Sequence, residues 1–125
     1  MAEAKGIKPV RWIGSSLKDL QKFPDDVQDA VGFALHQAQT GGKSLSAKPL
    51  NGFGGAGVLE IVEDYEGDTY RAVYTVKFAD AVYVLHSFQK KSKKGSKTPA
   101  TDINLVKTRL AAAEADFKAR KESRK

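Results

Sequence analysis

The chain has no cysteine, one methionine, one tryptophan and two histidines in 125 residues. Without cysteine there is neither a disulfide framework nor a thiolate metal site. His36 and His86 stand far apart in sequence and in different predicted elements, which argues against a metal centre. No apolar run is long enough to span a membrane, and Met1–Gly6 lacks the apolar core of a signal peptide. A cytoplasmic location is therefore the simple expectation. Acidic residues are scarce in one part of the chain only. Residues 89–125 hold four Asp/Glu against twelve Lys/Arg, a net of +8. Residues 1–88 hold eleven against nine, a net of −2. The whole excess behind the net charge of +6 thus follows the last predicted strand. Such concentration points to a polyanionic partner more than uniform basicity would.

What is present is ordinary for a folded protein: 41% of the residues are hydrophobic, and the length suits one compact domain over 1–125. Residues 58–88 read as three consecutive strands. Val58–Glu63 alternates Leu59 and Ile61 against Glu60 and Val62. Residues 64–68 (DYEGD) signal a turn. In Tyr70–Phe78, Tyr70, Ala72, Tyr74, Val76 and Phe78 share one face, and Arg71, Val73, Thr75 and Lys77 the other. Ala81–Phe88 follows a two-residue link, so the three predict an antiparallel meander. Strict alternation puts Val82, Val84, His86 and Phe88 on one face of the third strand. Tyr83 and Leu85 are then expected under the helices, with His86 on Arg71's face. The exit, residues 89–97 (QKKSKKGSK), carries five lysines.

Around this meander, Lys8–Ile13 predicts a short strand with Pro9 at its start. Ser15 or Ser16 can cap a helix holding Leu17, Leu20 and Phe23. Pro24, Asp25 and Asp26 suit the first turn of a second helix. Its stripe is Val27, Ala30, Val31, Ala34, Leu35 and Ala38, and Gly41-Gly42 ends it. His36 lies off the stripe and reads as a surface residue. Residues 43–57 predict a loop. Its glycines match no phosphate-binding fingerprint, because a strand rather than a helix follows. Lys48 is its one candidate anion contact. Thr98-Pro99 opens a last helix whose stripe is Ile103, Val106, Leu110, Ala113 and Phe117. Ala113 and Phe117 are expected to face a partner. Residues 1–7 and about 118–125 are expected to be flexible. The order β-α-α-β-β-β-α predicts an α+β fold. A small, mainly antiparallel sheet carries a helical hairpin on one face, with the C-terminal helix added. The other face is expected to be open, carrying Arg71, Thr75 and Lys77.

This order and several stretches resemble the RelE/ParE toxin superfamily, in particular its HigB-like, phage-derived branch. The matching stretches are WIGSSLKDLQKFP, VGFALHQAQTG, KPLNGFGGAGVLEI, YRAVYTVKFADAVYVLHSFQKKSKK and the TP before the last helix. The resemblance implies the toxin of a type II toxin–antitoxin pair. Members of the RelE and HigB types cut messenger RNA in the ribosomal A site without a metal or other cofactor. It also implies a helix-turn-helix antitoxin, ribosome and message as partners, and no membrane. Metal-free cleavage needs a base for the 2′-hydroxyl, cations for the transition state and an acid for the leaving 5′-oxygen. Arg71 corresponds to the arginine of the YR strand motif, and Lys90 and Lys91 to the basic pair ending the last strand. Arg71, His86 and Lys91 are accordingly the expected catalytic residues. Lys90, Lys93, Lys94, Lys77 and Lys48 are the expected RNA contacts. His86 is the acid–base candidate because its ordinary pKa lies near neutrality; the alternative is a strand residue holding the sheet edge. Two departures stand out. Glu60 and Val62 occupy places where RelE has lysines, and residues 89–125 contain neither histidine nor tyrosine.

Three functions therefore compete. The first is a ribosome-dependent messenger-RNA endonuclease. The second is a ParE-like inhibitor of DNA gyrase. The third is a non-catalytic nucleic-acid-binding phage protein.

Overall fold

A computed structural model describes residues 7–54, 57–90 and 98–123. The elements run β1 (Val10–Trp12), α1 (Ser16–Leu20), α2 (Asp25–Gln39), β2 (Ala47–Pro49), β3 (Val58–Tyr65), β4 (Asp68–Thr75), β5 (Val82–Lys90) and α3 (Ala100–Ser123). They form an α+β fold around one mixed five-stranded sheet of order β1-β5-β4-β3-β2. β1 runs parallel to β5, and every other pair is antiparallel.

The first sheet face carries α1 and α2. Pro24 precedes α2 with a φ of −56°, and Asp25 and Asp26 complement the dipole of its first turn. Val27, Val31, Ala34, Leu35 and Ala38 are all buried. They pack with Ile61 of β3, Ala72 and Tyr74 of β4, and Val82 and Val84 of β5. Each fully buried aliphatic side chain contributes about 1.5–3 kcal/mol, so this seam fixes which sheet face is inward. His36 is exposed and Tyr74 fully buried, as the periodicity predicts.

The second face is not open. α3 lies across it, burying Val106 and Ala113 against Val73, Phe78, Ala81, Tyr83 and Leu85. Four expectations change as a result. Ala113 and Phe117 face the protein's own core: Phe117 lies 5.3 Å from the ring of Phe78. Tyr83 and Leu85 pack under α3, while Val82 and Val84 lie under the hairpin. β4 stops at Thr75, so the chain bends and Phe78 enters the second core instead of sharing Tyr74's face. The segment from Lys118 to Ser123 continues α3 rather than fraying. The expected loop at 43–57 also contains β2, an edge strand closed off by Pro49, which has no N–H to offer a neighbour.

β5 departs from strict alternation. Tyr74 pairs with Val84 but Val73 with His86, leaving Leu85 as the extra residue of a bulge. Arg109 of α3 spans this irregularity, its Nη1 donating to the Leu85 carbonyl at 3.0 Å and its Nη2 to Ser15 Oγ at 3.2 Å. Gly14, with φ 59°, makes room: a Cβ there would stand 2.8 Å from Arg109 Nε.

Candidate functional site

The register of the sheet assembles the site. Lys48, Glu60, Val73 and His86 form one row across β2, β3, β4 and β5. Val62, Arg71 and Phe88 form the next. Residues directly opposite one another share a face, so Glu60, Arg71 and His86 all point to the α3 side. Here β4 and β5 are covered by α3, whereas the β2–β3 margin is not. A cleft of about 610 Å³ results.

Its floor is a closed polar network. Arg71 Nη1 donates to Glu60 Oε1 at 3.2 Å and to Thr98 Oγ1 at 3.0 Å. Thr98 in turn donates its hydroxyl to Glu60 Oε2 at 2.7 Å. Arg71 and Glu60 are each 2% exposed. Taking such a pair out of water costs several kcal/mol per ion before their attraction offsets it, so a buried pair is weak support for stability alone. One wall is the turn after β2, with Leu50, Asn51 and Gly52. The other is the start of α3, where Ala100, Ile103 and Asn104 line the cleft. The exposed Lys48 stands on the rim, directly across the ladder from Glu60.

Arg71 is therefore not displayed on a bare sheet, as the strand pattern alone predicts; it is buried and paired. His86 does lie on Arg71's face, but it is 7% exposed beneath α3. Its Nε2 is 2.6 Å from Asp102 Oδ1, and its ring stacks on Phe88 with centroids 4.6 Å apart. The bulge and the covering helix explain why the expected exposed imidazole is absent. Nδ1 of His86 has no hydrogen-bond partner among the described residues.

Among the described residues, the expected lysines are dispersed. Lys90 ends β5 opposite Thr69, half-buried, on the Arg71 side of the ladder. Lys77 is exposed at the other end, its Nζ 5.7 Å from the Phe78 ring centroid, and is not brought to the cleft. Lys91, Lys93 and Lys94 lie outside the described residues. Three contributors escape sequence reasoning: Glu60, Thr98 and Asp102. Glu60 gives one signal, a carboxylate within the otherwise apolar run Val58–Val62. Thr98 has the sequence position of a helix cap, but its hydroxyl closes the Arg71 network.

A second polar cluster lies toward the other end of α3. Asp116 Oδ2 accepts from the Tyr83 hydroxyl and from Arg120 Nε, both at 2.8 Å. Burial, and then the bond to Asp116, pushes the Tyr83 phenol up to about 12. The bonds from Arg120 and Tyr83 hold the Asp116 carboxyl below its ordinary value. Among the described residues no three His, Cys, Asp or Glu side chains group to hold a metal ion. No described helix is long and apolar enough to cross a membrane.

No curated protein matches the chain. Among solved structures, the toxin–antitoxin complex RelBE2 from Mycobacterium tuberculosis contains a similar chain. The two are 21% identical, over 70% of this chain and 97% of that one, with a TM-score of 0.46. The family described as "Phage derived protein Gp49-like (DUF891)" matches residues 18–111, from α1 through the first half of α3. That span contains all of the cleft's residues, and the chain belongs to this phage-derived, Gp49-like family.

Proposed function

We propose that this protein is the toxin of a type II toxin–antitoxin pair and that it cuts ribosome-bound messenger RNA. Its membership of a phage-derived family and the YR…LHSFQKK resemblance support the toxin reading. The observation that carries the chemical part is the floor of the cleft, where a carboxylate, a guanidinium and a hydroxyl meet within hydrogen-bond distance.

In this proposal an entering phosphate competes with Glu60 for Arg71. The guanidinium turns its donors to the phosphate oxygens, a charge-assisted contact suited to a planar fork. Glu60 is thereby released to take the proton of the 2′-hydroxyl. The 2′-oxygen attacks phosphorus to form a 2′,3′-cyclic phosphate, the bond to the 5′-oxygen breaks, and that oxygen leaves as a 5′-hydroxyl with a proton from water. Lys48 approaches from the rim, and Lys91 supplies transition-state charge from the segment after β5. Lys90, Lys93 and Lys94 track the flanking backbone. His86 acts as a positioning residue: through Asp102 it holds the first turn of α3, and with it Thr98, over Arg71. The proposed partners are the ribosome, its message and a helix-turn-helix antitoxin.

One observation favours the non-catalytic reading instead. Arg71 is buried with a carboxylate already on it, as in a structural ion pair. Induced expression followed by primer extension on cellular message separates the two. New 5′ ends within codons, absent from ribosome-free transcript, support the proposal. Growth arrest without such ends removes the nuclease; DNA-damage induction in its place identifies gyrase as the target.

A further inference from the structure

The turn after β2 is fixed at its start and open beyond it. Pro49 ends the strand, and the Leu50 N–H donates to the Val58 carbonyl at 3.0 Å. The next two residues, Asn51 and Gly52, are exposed. Among the described residues the Asn51 side chain makes no hydrogen bond, and the Gly52 N–H donates to nothing. Gly52, at φ 99°, has nothing within 4 Å of where a Cβ would be. A side-chain amide is thus followed directly by a backbone nitrogen that no hydrogen bond engages and no side chain shields. Asn104, the chain's other asparagine, is the contrast. It lies inside α3, where the N–H of Leu105 is committed to the helix ladder.

We infer that Asn51 is a site of spontaneous deamidation, through which the folded protein gains a carboxylate on one wall of the cleft. The Gly52 nitrogen loses its proton and attacks the carbonyl carbon of the Asn51 side chain. The new N–C bond closes a five-membered succinimide, and the side-chain nitrogen departs as ammonia. Water then adds to either ring carbonyl and breaks that carbon's bond to the ring nitrogen. Opening on one side leaves aspartate at 51. Opening on the other leaves isoaspartate, which lengthens the main chain by one methylene. The balance is an amide plus water giving a carboxylate and ammonium, with nothing oxidised or reduced. Asparagine is chemically labile in general; here the local structure separates the reactive one from the protected one. Lys48, three residues earlier, is the exposed cation at the same rim. A carboxylate nearby offsets its charge. On the nucleolytic reading, on which this consequence alone rests, an aged molecule offers RNA a less favourable cleft.

The test is incubation of the full chain at mildly alkaline pH, sampled over time by isoelectric focusing and by peptide mapping with mass spectrometry. The expected first product carries one more negative charge and maps to residue 51 as a mixture of aspartate and isoaspartate. It should form at least about tenfold faster than any change at Asn104, because α3 must open locally before Leu105 can react. Asn51→Gln, which needs a larger ring, should not form the acidic species over the same period. A folded wild type that keeps Asn51 intact while the urea-unfolded chain loses it would overturn the inference, since the turn would then protect the site. So would equal rates at Asn51 and Asn104, or an acidic species undiminished in Asn51→Gln. The charge effect is read separately. Asn51→Asp should bind a single-stranded RNA oligonucleotide about two- to fivefold more weakly than Asn51→Gln at the same salt, the size of one exposed charge interaction. Equal affinities would overturn that effect, whereas binding by neither variant would count against the nucleolytic reading and not against the modification.

Discussion

At the scale of single residues, the decisive pair is Arg71 with Glu60. A strand pattern places Arg71 on a polar face and suggests that alanine there leaves the fold intact. The buried ion pair corrects this. Arg71→Ala strands the Glu60 carboxylate in the protein interior, and removing one member of such a pair costs about 3–5 kcal/mol. Urea unfolding should show that loss. A Glu60→Gln/Arg71→Met double variant, which removes both charges at similar volume, should recover most of it. If Arg71→Ala unfolds at the wild-type urea concentration, the pair is not as buried as described. Tyr83 gives a second residue-scale prediction. Its phenol is raised from 10.0 to about 12, so the folded state favours the protonated form. That contribution is complete below pH 10 and disappears as pH rises from 10 to 12. Unfolding measured between pH 9 and 12 should lose stability over that window, and Tyr83→Phe should flatten the loss. Some loss should remain, because burial also raises Tyr74.

At the scale of elements, α3 determines what the sheet can present. Its register depends on Arg109, which reaches both the Leu85 bulge and Ser15. Gly14→Ala should disturb this joint in two ways: it places a Cβ against Arg109 and a side chain at φ 59°. The expected cost is about 1–3 kcal/mol in thermal or urea unfolding. In a double-mutant cycle Gly14→Ala and Arg109→Ala should be non-additive, since the clash disappears with the arginine. Strictly additive losses would mean that Arg109 is not the neighbour that matters. The elements also show which features sequence patterns reveal. α2, the three long strands and α3 are legible because each repeats its apolar spacing over at least two turns or three alternations. β2 is not, because three residues ending in proline, ahead of a glycine-rich turn, carry no periodicity. The bulge at Leu85 is invisible in the sequence because it depends on the partner strand's register. The α3 stripe is visible, but its destination is not: Ala113 and Phe117 look the same whether they meet a partner or the protein's own second core. The floor of the cleft is legible by half. The YR motif marks Arg71, whereas Glu60 and Thr98 meet it only through strand pairing and the placement of α3.

At the scale of the whole molecule, charge is segregated along the chain, with −2 before residue 89 and +8 after it. If the lysines at the end of β5 neutralise RNA phosphates, each neutralised phosphate releases counterions. Ribosome or RNA affinity should then fall linearly on a log–log plot against salt. Lys90→Ala/Lys91→Ala should reduce the slope by about 0.7 for every phosphate of single-stranded RNA that is no longer neutralised. An unchanged slope would make these lysines solvated surface only. The chemistry of the cleft itself is read by primer extension on ribosome-bound message, comparing wild type with Glu60→Gln. Cuts within codons are expected for the wild type. Glu60→Gln should lose about 10²–10⁴-fold in cleavage rate, with ribosome binding retained and a folded circular-dichroism spectrum. Glu60→Gln cleavage at the wild-type rate, or a wild type that arrests growth and leaves message intact, would contradict this chemistry.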